Sequence, residues 1–162
     1  MSIPSGPIKG MSVMNTQLSK GMPTNGSLLK GLYVATSGMI AQNQRTLAIT
    51  QNIGNAQSRP NKPGEQPYRR KIVIFQDFYD TTKGVNLVRV KRIAYDTTPP
   101  KKVYSPGDPG ADKDGFVLES NVQAVGEMAD MRDASRSHEA ATKAFEKIIQ
   151  MLQSTIGVLK NA

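Results

Sequence analysis

The sequence contains no cysteine and no tryptophan, and His138 is its only histidine among 162 residues. Without cysteine there can be no disulfide bond, no thiolate nucleophile and no cysteine-ligated zinc or iron–sulfur site. The sequence also has no apolar run of about 18 residues, so it predicts no membrane-spanning helix. Residues 1–27 lack the apolar region of a cleavable secretory signal, and we expect any export to use another route.

The single histidine has no partner for catalysis at helical spacing. Its neighbours three and four positions away are Ala134, Ser135, Ala141 and Thr142, which include no carboxylate and no imidazole. A Ser–His pair without a third orienting group does not match a catalytic triad. We therefore predict that His138 packs in a helix, with a pH-sensitive contact or catalysis as the alternatives.

Other signatures of chemistry are also missing. The sequence has no Walker A loop, no G-x-G-x-x-G turn and no H-E-x-x-H helix. The acidic stretch GDPGADKDG, residues 107–115, fails the spacing of an EF-hand loop, and we interpret its aspartates as turn formers. The sequence predicts no enzyme, no cofactor, no metal site and no small-molecule substrate.

Charge is distributed unevenly along the chain. Residues 1–64 carry six basic and no acidic side chains, residues 65–105 nine and four, and residues 106–162 six and nine. The three parts therefore carry +6, +5 and −3. Such complementary ends favour self-association at least as readily as a nucleic-acid partner.

The basic runs YRRK (68–71), VRVKR (88–92) and PKK (100–102) leave one alternative open, a β surface that binds nucleic acid. Strand alternation argues against it, because it is expected to place Arg89 and Lys91 on one face and Arg92 on the other.

Hydrophobic periodicity predicts a long helix at each end. We expect residues 1–27 to form a flexible extension, with Ser27 as the N-cap of a first helix over residues 28–58. Its apolar positions repeat in alternating steps of four and three, which is a heptad seam: Leu28, Leu32, Ala35, Met39, Gln42, Thr46, Ile49, Ile53 and Ala56. Only Lys30 and Arg45 are charged between Leu28 and Ser58, so we expect this helix to pack on more than one side.

A second helix is predicted over residues 119–162, starting at a capping box of Ser120 and Gln123. Its seam has the same spacing: Met128, Met131, Ser135, His138, Thr142, Phe145, Ile149, Leu152, Ile156 and Leu159. Between the helices, residues 59–118 read as a loop followed by β-strands within 71–75 and 84–95, with residues 97–115 extended or turning. The predicted fold is mainly α with a small β insert. With the insert at the far end, the helices can lie back to back as an antiparallel coiled coil.

Four stretches resemble a known family. The run SGMIAQNQRTLAITQNIGNA, residues 37–56, resembles the N-terminal signature of the flagellar rod, hook and filament proteins. Residues 67–75, 96–117 and 121–145 are similar to members of that family that form the proximal rod. Gly54 stands where alanine is usual, and His138 where an aromatic residue is usual; the extension 1–27 is also atypical.

The resemblance implies a structural subunit of the flagellar basal-body rod. Its terminal helices would pair as an inner coiled-coil domain, and subunits would stack helically into a tube that transmits torque. Expected partners are other copies of the chain, other rod proteins, components at the junction of ring and rod, and the flagellar type III export apparatus. The expected location is the periplasmic rod, reached without a cleavable signal.

Overall fold

The structure, a computed structural model, describes residues 25–160 and their side chains from 26 to 158. Residues 1–24 of the predicted extension and the side chain of the seam residue Leu159 lie outside this description. In chain order the elements are helix α1 (Asn25–Gly54), strands β1 (Lys71–Asp80), β2 (Val85–Tyr95), β3 (Lys101–Tyr104) and β4 (Phe116–Glu119), and helix α2 (Ala124–Lys160). The chain is therefore mainly helical with a small antiparallel β region, as predicted. Neither described helix has an apolar stretch long enough to cross a membrane.

Both predicted ends of the first helix were wrong by a few residues. α1 begins at Asn25, so Ser27 lies inside the helix and is not its N-cap. It ends at Gly54, because the next backbone bond, from Ala56 N to Ile53 O, spans three residues and tightens the chain into a turn. The predicted stop at residue 58 is therefore four residues late.

The start of α2 also differs from the prediction. Ser120 accepts a hydrogen bond from Val122 N through its side chain, at 3.2 Å, in the segment before the helix. The first helical backbone bond runs from Glu127 N to Gln123 O, and α2 begins at Ala124. The chain thus makes a serine turn where a capping box was predicted.

Strands β1 and β2 form an antiparallel hairpin. Its turn is closed by a 2.7 Å bond from Gly84 N to Asp80 O, and Gly84 has a φ of +63°, which favours glycine. The register shifts between Ile74, which pairs with Arg92, and Phe75, which pairs with Val90. Lys91 is therefore an extra residue in a bulge, and the simple alternation that we assumed for the basic side chains of β2 does not hold.

Strands β3 and β4 form a second, separate antiparallel pair. The connection between them contains the acidic stretch 107–115. Asp108 accepts a bond from Gly110 N, and Asp112 accepts bonds from the backbone N–H groups of Asp114 and Phe116, at 2.8 to 3.0 Å. These aspartates are turn formers, as the sequence predicts.

The β1–β2 hairpin lies along α1, so the prediction that the insert lies at the far end of the helices was wrong for this hairpin. Lys71, at the base of the hairpin, bonds Asn52 near the end of α1, and Val88 N donates to Ser37 Oγ at 3.3 Å. Near the hairpin tip, Lys83 Nζ lies 5.0 Å from the centre of the Tyr33 ring. The small, uncharged surface of α1 makes this close approach possible. α1 therefore packs on more than one side, as predicted.

Candidate assembly surface

Small residues line the contact between α1 and α2. A Cβ atom added at Gly31 would lie 2.9 Å from Ile148 Cδ1, and one added at Gly38 would lie 4.0 Å from Ala141 Cβ. Ala134 is fully buried on the same face of α2. The two backbones thus approach closely near the middle of the helices and near the start of α1.

The contact with α2 lies beside the predicted seam on α1, whose members are buried or half-buried. Leu28, Ala35 and Ile49 are buried, and Leu32, Met39 and Ile53 are half-buried. The contact positions are Gly31, Gly38, Arg45 and Asn52, which repeat every seven residues. A seam chosen by hydrophobicity alone misses them, because two are glycines and two are polar.

On α2, the predicted seam lies about one residue further around the helix than the positions that contact α1. Some of its members are half-buried: Met131, His138, Thr142, Phe145, Ile149 and Leu152. Met128 and Ile156, however, are 53% and 60% exposed, and Ser135 is also exposed. The buried positions beside them are Glu127 and Ala134. The exposed members therefore lie outside the contact within the subunit, and their packing against neighbouring subunits stays a prediction.

Asn52 is fully buried at the end of α1 and has every hydrogen-bonding position filled. Its Oδ1 accepts from Lys71 N at 2.8 Å and from the Tyr68 hydroxyl at 3.0 Å. Its Nδ2 donates to Lys71 O and to Glu127 Oε2, both at 2.9 Å. One amide therefore ties α1 to the base of the hairpin and to α2.

Glu127 and Arg70 form the charged part of this polar junction. Glu127 is 1% exposed, and its Oε1 accepts from Arg70 Nε at 2.5 Å. Arg70 also donates to Asp130 at 2.9 Å and lies 3.6 Å from Asp96. The hydrogen bond to Glu127 raises the pKa of Arg70, although partial burial opposes the rise. A buried carboxylate held in this way is costly to separate from its partner.

Two further contacts complete the junction. Burial raises the pKa of the Tyr68 hydroxyl, which favours the neutral donor that Asn52 needs. Asn121 accepts from Arg70 N at 2.8 Å and donates to Thr98 O at 2.9 Å, so the segment before α2 is joined to the hairpin. Sequence reasoning missed this network, because its members are distant in the chain and none belongs to a heptad of apolar residues.

A separate set of ion pairs joins the segment after α1 to the β3–β4 pair. Arg59 bonds Glu119 of β4 and lies 3.1 Å from Asp108 in the turn. These two carboxylates raise the pKa of Arg59. Since the side chain is well exposed, the contact orients the loop and adds little stability.

An apolar stripe lies on the side of α1 that faces away from α2. Tyr33, Ile40 and Leu47 are 43%, 61% and 53% exposed, and they recur every seven residues. Between Tyr33 and Ile40 the stripe borders a groove of about 280 Å³, whose opposite wall is the hairpin. Surface apolar side chains arranged in a row mark an interaction surface more often than scattered ones do. We call Tyr33, Ile40 and Leu47 the outer stripe.

The residues that the structure describes hold no group of three or more His, Asp or Glu side chains arranged to bind a metal ion. The single histidine, His138, is half-buried, and its carbonyl accepts a bond from the Thr142 hydroxyl at 2.9 Å. The features that stand out are therefore surfaces and contacts between elements.

Comparison with known proteins gives a consistent picture. Residues 113–158 match the family model described as flagellar basal body rod FlgEFG protein C-terminal. The chain is 40% identical over 127 residues to the flagellar basal-body rod protein FlgC of Agrobacterium fabrum strain C58, covering 78% of this chain and 91% of that protein. The FlgC protein of Salmonella typhimurium strain LT2 is 35% identical over 130 residues, covering 80% and 96%. That of Buchnera aphidicola from Schizaphis graminum is 36% identical over 135 residues, covering 82% and 98%.

Proposed function

The chain belongs to the FlgC family of flagellar basal-body rod proteins, and from this premise we propose how its two helices build the rod. It is a structural subunit of the basal-body rod. The outer stripe carries the proposal for its assembly: three apolar side chains at seven-residue spacing stay exposed on a helix whose other faces pack against α2 and the hairpin. Burial of such a row against neighbours stabilises a polymer.

We infer that α1 and α2 form an antiparallel coiled coil, the inner domain of the subunit. Positions that advance by about seven residues along α1 contact positions that move back by about seven along α2. Gly31 lies against Ile148, Gly38 lies near Ala141, and Asn52 bonds Glu127. This spacing is the repeat of a coiled coil. The inner domain would comprise residues 28–58 and 119–162, with 59–118 as the insert and 1–27 as the extension.

The finer assignments follow the same family. We propose that the chain forms part of the proximal rod and stacks helically with other copies and other rod proteins into a tube that transmits torque. Its neighbours would include components at the junction of ring and rod. The flagellar type III export apparatus would deliver it to the periplasm without a cleavable signal, and the acid-free residues 1–27 would serve in export recognition.

Swimming of a strain that carries a variant chain tests this function. We expect Ile40→Asp to abolish swimming while the protein is still made and exported, because it places a charge in the outer stripe. Asn61→Asp adds the same charge at an exposed loop position outside α1 and should swim normally. Normal swimming with Ile40→Asp would contradict assembly through this surface.

The alternative of a nucleic-acid-binding β surface receives no support from the comparisons. It is tested by measuring binding of the purified chain to a DNA duplex at low salt, where a phosphate-binding surface is strongest. Salt-sensitive binding that is lost on Lys91→Glu would favour it. We expect no such binding.

A further inference from the structure

The groove beside the outer stripe has a basic rim. Lys83 lies over the Tyr33 ring, and Arg89 lies over the Phe78 ring, with the guanidinium carbon 4.7 Å from the ring centre. Both side chains line the groove together with Ile40 and Leu87. Lys83 also pairs with Asp80 at 3.2 Å, whereas Arg89 makes no ion pair within residues 25–160. The groove thus offers an apolar floor with positive charge along the hairpin side.

α2 carries a matching face beside its contact with α1. Thr142 and Ile149 are half-buried there, and Glu139 and Glu146, three positions before each of them on the helix, are exposed. Each glutamate is exposed and makes no ion pair in the described part of the chain, although Lys143 lies close to both along the helix. The two carboxylates are seven residues apart, which is about 10.5 Å along a helix. Tyr33 and Ile40 on the groove are also seven residues apart.

We propose that this groove receives α2 of a second copy of the chain, with Glu139 and Glu146 facing Lys83 and Arg89. The proposal rests on the function proposed above and names the partner of the outer stripe. The subunit's own α2 cannot fill the groove, because it packs on the opposite face of α1, against Gly31 and Gly38.

Charge also argues against the other segment of this chain that could fold back onto the groove. Residues 1–24 contain no acid and two lysines, Lys9 and Lys20, which have the same sign as the rim. The glutamate face of α2 has the opposite sign. Opposite charges across an interface select the partner and its register more than they add affinity.

The absence of cysteine allows a direct test in cells that lack the native chain. One tagged copy carries Ile40→Cys and a second, differently tagged copy carries Thr142→Cys. Mild oxidation should give a disulfide-linked pair of the two tagged copies only when both are present, because a disulfide requires Cα atoms within about 7 Å. Ala144→Cys, at an exposed position on another side of α2, replaces Thr142→Cys in the control and should give no such pair.

Charge reversal tests the rim. Lys83→Glu with Arg89→Glu in the Ile40→Cys copy should lower the yield of the linked pair about tenfold, since two attractions become repulsions. Glu139→Lys with Glu146→Lys in the Thr142→Cys copy should restore the yield to within about threefold. Asp133→Lys, on another exposed side of α2, should restore nothing.

The outcomes distinguish a failure of the proposed partner from a failure of the proposed function. Four results would each overturn the proposal that the partner is a second copy. They are absence of the linked pair, equal linkage with the Ala144→Cys control, linkage of Ile40→Cys to a different protein, and charge reversal without rescue. If Ile40→Asp still abolishes swimming in those cases, the assembly function stands. Normal swimming with Ile40→Asp would overturn the function itself.

Discussion

Asn52→Asp should strongly destabilise the fold, although it changes only an amide nitrogen to an oxygen. The amide donates to Lys71 O and to Glu127 Oε2, and an ionised carboxylate can donate to neither. The new oxygen would face the Glu127 carboxylate across a former hydrogen bond of 2.9 Å, in a site with no exposure to solvent. Two carboxylates so close cannot both ionise without strong repulsion.

The expected loss is about 3 to 5 kcal/mol at neutral pH. Two net hydrogen bonds contribute about 1 to 3 kcal/mol together, and burying a second carboxylate beside Glu127 without a partner costs about the same or more. Domains of this size are stable by about 5 to 15 kcal/mol, so the variant loses a large fraction of the total. The loss should shrink as the pH is lowered, because protonation of the introduced carboxyl restores one of the two lost donors.

Urea unfolding of the full chain, followed by helical circular dichroism, measures this loss. Asn43→Asp is the matched control, because Asn43 is an exposed asparagine of the same helix. We expect the control to change stability by no more than about 0.5 kcal/mol. If Asn52→Asp were equally mild at pH 7, the polar junction would not hold α1, α2 and the hairpin together.

Three other changes have defined outcomes. Ala134→Leu should destabilise the chain by about 1 to 3 kcal/mol in thermal unfolding by overpacking a fully buried position, whereas Ala144→Leu at an exposed position should be nearly neutral. Backbone hydrogen bonds, first that of Phe116, hold the pKa of Asp112 below its ordinary value of 3.8, so its stabilisation of the turn is present above that pH and is lost as pH falls through the folded-state pKa. Amide exchange at Phe116 should therefore accelerate below about pH 3.8 relative to the strands, and Asp112→Asn should remove this acid step. His138→Tyr should swim, whereas His138→Asp should not, because it places a charge at a half-buried position of α2; a motile Asp variant would show that the position tolerates solvent.

The sequence predicted the helices because their periodicity is long and regular. It also predicted that α1 packs on more than one side, because a helix with only Lys30 and Arg45 as charges between residues 28 and 58 has little surface suited to water. The hydrophobic pattern could not predict that the contact face of α2 is rotated by about one residue from the predicted seam. Gly31, Gly38 and Ala134 make the contact by allowing backbones to approach, and a hydrophobicity pattern gives such residues little weight.

The polar junction could not be predicted for a different reason. Asn52 and Glu127 are 75 positions apart, and Arg70 lies 57 positions before Glu127. No local pattern links polar residues that meet only after the hairpin has folded back along α1. The aspartate turns were predictable, because Asp112 bonds backbone groups only two and four residues away.

A cryo-EM map of the basal body from cells expressing this chain tests the central claim most directly. We predict that each copy lies in the rod with α1 and α2 side by side, and that a helix of a neighbouring subunit covers Tyr33, Ile40 and Leu47. A rod in which that face of α1 is open to solvent, or a basal body without this chain, would contradict the account.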